Sequence, residues 1–286
     1  MFIETHAHYN LPAFDDDRDE VLARVRAAGV EKIVCPAISY DSNAQMMGCL
    51  AGYDDVYFAV GIHPKRVCPI RKSKRAGRDV PRLAKLRSAY EDRAHTLERI
   101  EGELAAVRAL ATSGERVVAV GETGLDYSLN PGELERKIQM AAFREQVEIA
   151  LKTRLPLVLH IRDAHRDAAR ILHRYRTELK GSVHCFCLGP NEAKEYLAMG
   201  LMLGIGGKVT HEGNVGLREA VATAPLDRIL LETDAPYVLP AGFASQRNDS
   251  TAIPMIAREV ARLRGISVEE VARATAKNAE RLFFGG

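Results

Sequence analysis

Two histidines one residue apart, His6-Ala7-His8, follow the apolar start Phe2-Ile3. Side chains at i and i+2 of a strand point to the same side, so the two imidazoles converge, and neutral imidazole is the commonest transition-metal ligand. The pair makes half a metal site. Four further donors fall at or near the ends of apolar runs: Glu122 after Val117-Val118-Ala119-Val120-Gly121, His160 after Leu157-Val158-Leu159, His184 in Ser182-Val183-His184, and Asp234 after Leu230-Leu231-Glu232-Thr233. Four imidazoles and two carboxylates, one able to bridge, suit two divalent cations better than one. The inventory assigns His6, His8 and Asp234 to one ion, His160 and His184 to the other, and Glu122 to both. Imidazole-rich ligation favours Zn²⁺ or Mn²⁺ over Mg²⁺, which prefers oxygen shells.

Those donors are scattered over most of the chain, so only a fold that gathers strand ends can use them together. Eight short runs rich in apolar and β-branched residues, at 2–6, 32–36, 57–61, 117–121, 156–160, 182–186, 201–205 and 228–232, alternate with stretches of helical period. Helices are predicted over 18–28, 134–153, 167–175, 191–199, 251–263 and 267–284, the last opened by Ser267 with Glu270 three residues on. Eight such repeats predict an α/β fold, a closed (β/α)8 TIM barrel whose metal site lies at the C-terminal ends of the strands. The connection from 61 to 117 is long for a barrel, and 83–110 has the pattern of one long helix or a helix pair against the flank. The expectation is one hydrolase domain over 1–286, with a basic loop and helical insertion at about 65–116.

A length of 286 residues with 47% hydrophobic and 27% charged residues is ordinary globular usage and excludes disorder and fibres. No apolar run approaches the roughly 20 residues that cross a bilayer, so no membrane partner is expected. Five scattered cysteines without a CxxC pair fit a reducing cytoplasm. Cys185 and Cys187 are expected on one face of a buried strand. The net charge of +2 hides an asymmetry, because residues 65–116 hold 14 Lys and Arg against 7 Asp and Glu. The densest part, 65–75, is a loop able to attract a phosphate backbone or simply to stand in solvent.

The donors lie in motifs that resemble the TatD-type metal-dependent deoxyribonucleases, within the wider amidohydrolase-like barrel hydrolases. The motifs are Thr5-His6-Ala7-His8, Gly61-Ile62-His63-Pro64, Val120-Gly121-Glu122-Thr123-Gly124-Leu125-Asp126-Tyr127, Leu159-His160-Ile161-Arg162-Asp163-Ala164, Val183-His184-Cys185-Phe186 and Leu231-Glu232-Thr233-Asp234-Ala235-Pro236-Tyr237. The resemblance implies a binuclear centre at His6, His8, Glu122, His160, His184 and Asp234 acting on phosphodiester bonds of DNA. There are departures. Where the family has Asp-Thr-His-Cys-His-Leu-Asp the sequence reads Glu4-Thr5-His6-Ala7-His8-Tyr9-Asn10, Thr123 replaces Ile, and Arg-Asn-x-Pro becomes Arg247-Asn248-Asp249-Ser250.

The expected reaction is hydrolysis of DNA, exonucleolytic on single strands, by a metal-bound hydroxide, with Asp234 and Glu122 catalytic and Glu232 supporting. His63 and Arg162 at the same barrel face, and Arg247 more distantly, are the candidate phosphate contacts, with an ion pair to Asp163 or Glu122 as the other reading of Arg162. Tyr127 and Tyr237 are candidates for base stacking. The alternative is an amidohydrolase-type hydrolase of a small amide, ester or amine. Against it stand the basic 65–75 loop and the lack of a lysine at the end of the fourth strand. A scaffold that has lost catalysis would lack a ligand, and none is lacking.

Overall fold

The computed structural model describes residues 1–38, 40–67, 82–114 and 116–285. Each of the eight apolar runs contributes a strand: β1 (Phe2–Glu4), β2 (Val30–Pro36), β3 (Val56–Val60), β4 (Val117–Asp126), β5 (Leu157–Arg162), β6 (Gly181–Val183), β7 (Leu201–Ile205) and β8 (Ile229–Leu231). They pair in sequence order and in parallel. The ring closes where the Thr5 amide donates to the Leu231 carbonyl (3.1 Å) and an isolated parallel bridge joins Ala7 to Ala235. Parallel neighbours need crossover connections, and helices supply them: α1 (Arg18–Ala27), α2 (Tyr40–Cys49), α3 (Pro64–Val67), α4 (Arg82–Ala111), α5 (Glu133–Thr153), α6 (His165–Leu172), α7 (Pro190–Ala198) and α8 (Val215–Thr223), while α9 (Ile253–Arg264) and α10 (Val268–Ala279) follow the last strand.

The strands are buried on both faces. Side chains that face the helices join one large cluster, including Ile33, Phe58, Val120, Phe143 and Val147. Side chains that face the axis form a second layer of Ile3, Val34, Ala59, Ala119, Val158, Met202 and Leu230, capped by Ala276, Ala279 and Phe283 of the C-terminal segment. Two residues further along β5, β6 and β8 come His160, His184 and Glu232; along β3, β4 and β7 come Gly61, Gly121 and Gly204. The glycines make the room. A Cβ on Gly204 would lie 2.2 Å from Oε2 of Glu232, and one on Gly61 would lie 2.6 Å from the Gly121 carbonyl carbon.

β6 and β4 differ from the sequence expectation, and of the two readings of 83–110 the single helix is the one formed. β6 ends at Val183, two residues before the cysteine pair, so Cys185 sits in a turn with φ 47° and Cys187 is exposed rather than on a buried strand. At that turn the Cys185 amide donates to a Glu232 side-chain oxygen (2.5 Å) in place of a ladder carbonyl, and the Phe186 amide returns to the Gly204 carbonyl of β7 (3.0 Å). Residues 83–110 belong to one helix, α4, which packs on α5, β3 and β4 through Ile100, Leu104 and Val107. β4 runs five residues beyond Gly121, and its register with β5 shifts between Val120 and Thr123. Most of the basic 65–75 stretch lies outside the described residues; Lys65 and Arg66 are in α3.

Candidate active site

Period-two alternation from the axis-facing Ala119 would turn Glu122 outward, and the extra residue in the β4 register shift turns it in. Its carboxylate then lies among five imidazoles. Oε2 is 3.6 Å from His6 Nε2 and 3.7 Å from His8 Nε2; Oε1 is 2.8 Å from His160 Nδ1, 3.6 Å from His63 Nε2 and 3.8 Å from His184 Nε2. Asp234 Oδ1 stands opposite, 3.7 Å from His6 Nε2, 3.5 Å from His8 Nε2 and 3.9 Å from His184 Nε2. The two Nε2 atoms of the His-x-His pair are 3.2 Å apart.

Those spacings answer whether a cation fits. Donors held at 2.0–2.2 Å from a tetrahedral ion are about 3.3–3.6 Å from each other, close to the edges seen here and longer than a good direct hydrogen bond. Nδ1 of His6 is buried without a hydrogen-bond partner. Glu122, His160 and His184 form a second convergent trio. The chemistry of the set, imidazole nitrogens with two carboxylates, is that of a divalent-cation site.

The charges are arranged accordingly. Burial alone would raise the pKa of Glu122, but the imidazoles around it, His63 foremost, hold its carboxyl well below the usual range. Burial lowers that of His184, and Glu232 and Asp234 overcome it and push the imidazole up to about 10. Burial brings His63 down to about 4. Protons held by ligating imidazoles must leave when a cation enters.

Behind the donors is a layer that fixes them. Glu232 Oε1 is 3.0 Å from His184 Nδ1, although the ring is not aligned on it for a hydrogen bond. Asp126 Oδ2 is 2.8 Å from His160 Nε2, on the side of the ring away from Glu122, and 3.3 Å from Lys65 Nζ. Glu4 is fully buried and accepts from the amides of His6 (2.9 Å) and Thr233 (3.0 Å) and the hydroxyls of Thr233 (2.7 Å) and Ser250 (2.8 Å). The Ser250 hydroxyl in turn accepts from Tyr9 (2.7 Å). Glu4, Tyr9 and Ser250 are three of the departures from the family pattern, and they meet in one network that ties the His-x-His segment to the loop carrying Asp234. Thr123, another departure, has its hydroxyl buried without a partner. Asn248 completes the support by donating to the carbonyls of Thr233 (3.0 Å) and Tyr237 (2.6 Å).

The six sequence-predicted donors are therefore brought together, and His63 joins them. Arg162 is exposed and has no ion pair among the described residues, neither with Asp163 nor with Glu122; it lines a cleft of about 640 Å³ with Tyr127, His160, His184, Lys208 and Asp234. Arg247 is elsewhere engaged: its guanidinium meets both Asp17 oxygens (3.0 and 2.6 Å) and lies 4.6 Å over the Phe14 ring. Tyr237 is exposed with its ring centroid 6.4 Å from that of His8. Asp126 and Lys208 were not singled out from sequence. Both lie at strand ends, Asp126 ending β4 and Lys208 following the Gly206-Gly207 that closes β7, so the rule that found the histidines would have reached them.

Comparison with known proteins gives a consistent set. A sequence model of the family described as TatD related DNase matches residues 3–284. The metal-dependent hydrolase YabD of Bacillus subtilis is 32% identical over 99% of both chains. The 3'-5' ssDNA/RNA exonuclease TatD of Cronobacter sakazakii is 36% identical over 94% of this chain and 93% of its own. Among solved structures, the TatD homologue YjjV of Escherichia coli superimposes with a TM-score of 0.81 at 28% identity, covering 99% of this chain and 98% of that one.

Proposed function

Because this chain belongs to the TatD-related DNase family, we propose that it is a metal-dependent hydrolase of DNA phosphodiester bonds, working as an exonuclease on single strands. The observation that carries the reading is the convergence of His6, His8, Glu122 and Asp234 on one point and of Glu122, His160 and His184 on another. In this reading His6, His8 and Asp234 would hold one divalent cation, His160 and His184 a second, and Glu122 would serve both, with Zn²⁺ or Mn²⁺ favoured over Mg²⁺ by the imidazoles. When bound, such ions offset the charge of the phosphodiester and acidify water.

The chain's own groups do the rest. Asp234 takes the proton of the attacking water; its carboxylate is the partly exposed one of the two, at 17% against 4% for Glu122. Glu232 and Asp126 hold His184 and His160 in orientation. His63 is neutral near pH 7 and offers a donor to a phosphate oxygen. Arg162, which has no ion pair among the described residues, binds phosphate from the cleft wall. Arg247 is already matched by Asp17 and takes no part. One barrel domain over 1–286, including the 65–116 insertion, carries the activity, and the free Cys35, Cys49, Cys185 and Cys187 suit a reducing cytoplasm. Among the described residues no helix is long and apolar enough to cross a membrane.

The test is digestion of end-labelled single-stranded DNA with Mn²⁺, Zn²⁺ or Mg²⁺ beside a panel of small amides and esters. Expected are metal-dependent release of nucleotides from one end and a loss of about 10²–10⁴-fold in turnover for Asp234→Asn, the scale of a general base. Turnover of an amide or ester with DNA left intact under every metal overturns the reading.

A further inference from the structure

The cleft beside β5 to β7 is lined by four cations, Arg136, Arg162, Arg166 and Lys208, none with an ion pair among the described residues; Arg136 lies over the Tyr127 ring, and Arg162 and Lys208 stand with His184 and Asp234. Lys208 follows the end of β7 in the 3₁₀ turn Gly207–Thr210, and that turn is fixed: a Cβ on Gly207 would lie 2.4 Å from the Val238 carbonyl oxygen. The side chain is partly buried and lines the same cleft as Arg162, His184 and Asp234. Neither Lys208 nor Arg162 has a carboxylate within ion-pair range among the described residues. The acids nearby are otherwise engaged, Asp126 with His160 and Lys65, and Asp167 with Tyr127 and Arg170; Asp163 lines the cleft but pairs with neither cation.

Lys208 instead reaches the thiol of Cys185, and Arg162 is close enough to repel it. The Cys185 sulfur lies within 4.8 Å of ligating atoms of His184 and Asp234, which puts Lys208 one side chain away from the metal donors. Two like charges brought together on a partly desolvated wall are unfavourable unless an anion joins them, and a cleft with low-dielectric walls focuses their field on that anion.

We propose that Lys208 and Arg162 form a phosphate subsite beside the cleavage centre, which takes the phosphodiester next to the one being cut. The inference rests on the nuclease reading for the identity of its ligand and on the cleft alone for its charge. It makes Lys208 a specificity residue: a substrate with one phosphodiester fills only the cleavage centre, whereas a longer strand also reaches the subsite. A lone Lys–phosphate contact has the strength of a charge-assisted hydrogen bond, an effect of about tenfold or more.

Lys208→Met and Lys208→Arg are compared with the unaltered protein in two measurements. In the first, kcat/KM is determined for a ten-nucleotide single strand and for a dinucleotide with a single phosphodiester. The ratio of the two is expected to fall about tenfold in Lys208→Met and to be restored in Lys208→Arg. In the second, fluorescence anisotropy follows the labelled ten-nucleotide strand on metal-free protein as salt is raised; the slope of log affinity against log salt is expected to be shallower by about one in Lys208→Met. An unchanged ratio with an unchanged salt slope overturns the subsite, as does an equal loss on both substrates. If the unaltered protein binds the strand through Lys208 but cuts no DNA, the nuclease reading falls and the subsite stands; if it does not bind the strand at all, both fall.

Discussion

The two sides of the barrel mouth differ in how their polar groups are satisfied. On the side of β1 and β8, Glu4, Thr233, Tyr9, Ser250 and Asn248 are buried and hydrogen-bonded to one another or to backbone, and they fix the segments bearing His6, His8 and Asp234. On the side of β5 to β7, Arg162 and Lys208 face the cleft with no carboxylate partner among the described residues. Of the β1 and β8 group only Asn248 Oδ1 is buried without a partner; a buried polar network that is otherwise hydrogen-bonded is stiff, which suits atoms that must stay where a metal needs them. Unmatched cations at an open wall suit a ligand that brings its own negative charge. On the proposed reading, holding and recognising are divided between neighbouring arcs of one ring.

The largest expected effect that sharpens this division is on the holding arc and its extension at Glu232. Glu232→Gln is expected to lower divalent-metal affinity about 10–100-fold, since a carboxylate behind a ligating imidazole sets its orientation and basicity. Competition with a chromophoric chelator measures it, and an affinity within twofold of the unaltered protein removes Glu232 from the support layer.

A smaller effect concerns pH. Burial brings the His63 pKa from 6.5 to about 4, so the unfolded chain takes up a proton that the folded chain refuses across that interval. The His63 contribution to the stability of the metal-free protein therefore falls as pH drops from about 6.5 to about 4, while Glu4, raised by burial from 4.5 to about 7, contributes the opposite trend there. His63→Gln should remove the His63 share of the slope in a plot of urea midpoint against pH; a plot of unaltered shape would mean that His63 does not act in the window.

The smallest effect contrasts a matched cation with the unmatched ones. Arg247→Ala removes an ion pair with Asp17 whose two side chains are about a third exposed, a loss of up to about 1 kcal/mol of stability. It should leave KM for a ten-nucleotide strand within about twofold, and a KM raised as far as by loss of Lys208 would erase the contrast.

Much of the site was readable from residue types alone. His6, His8, His160, His184 and Asp234 sit at or just past the ends of apolar runs, and strand ends in a parallel barrel open on one face. Glu122 was found by the same reasoning, although strict alternation along β4 would have pointed it away from the axis. What escaped the sequence depended on partners far along the chain. Arg162 ends β5 and Arg247 lies in a loop, yet both are arginines beside the barrel mouth by sequence, and only the fold brings Asp17 to one of them and leaves the other open. The Cys185-x-Cys187 pair read as strand because its apolar neighbours resemble one, while the acceptor that takes the Cys185 amide from the ladder belongs to β8's extension at Glu232.

By itself, then, the order of amino acids determined the βα alternation, the barrel and the identity of the donors, because periodicity and residue chemistry are local properties. The tertiary structure decided which donors share a point, that a one-residue register shift turns Glu122 inward, and that Glu4, Tyr9 and Ser250 act as one network. Those outcomes depend on distances between residues as remote as Glu4 and Ser250, which the closure of the ring sets and which no local pattern records.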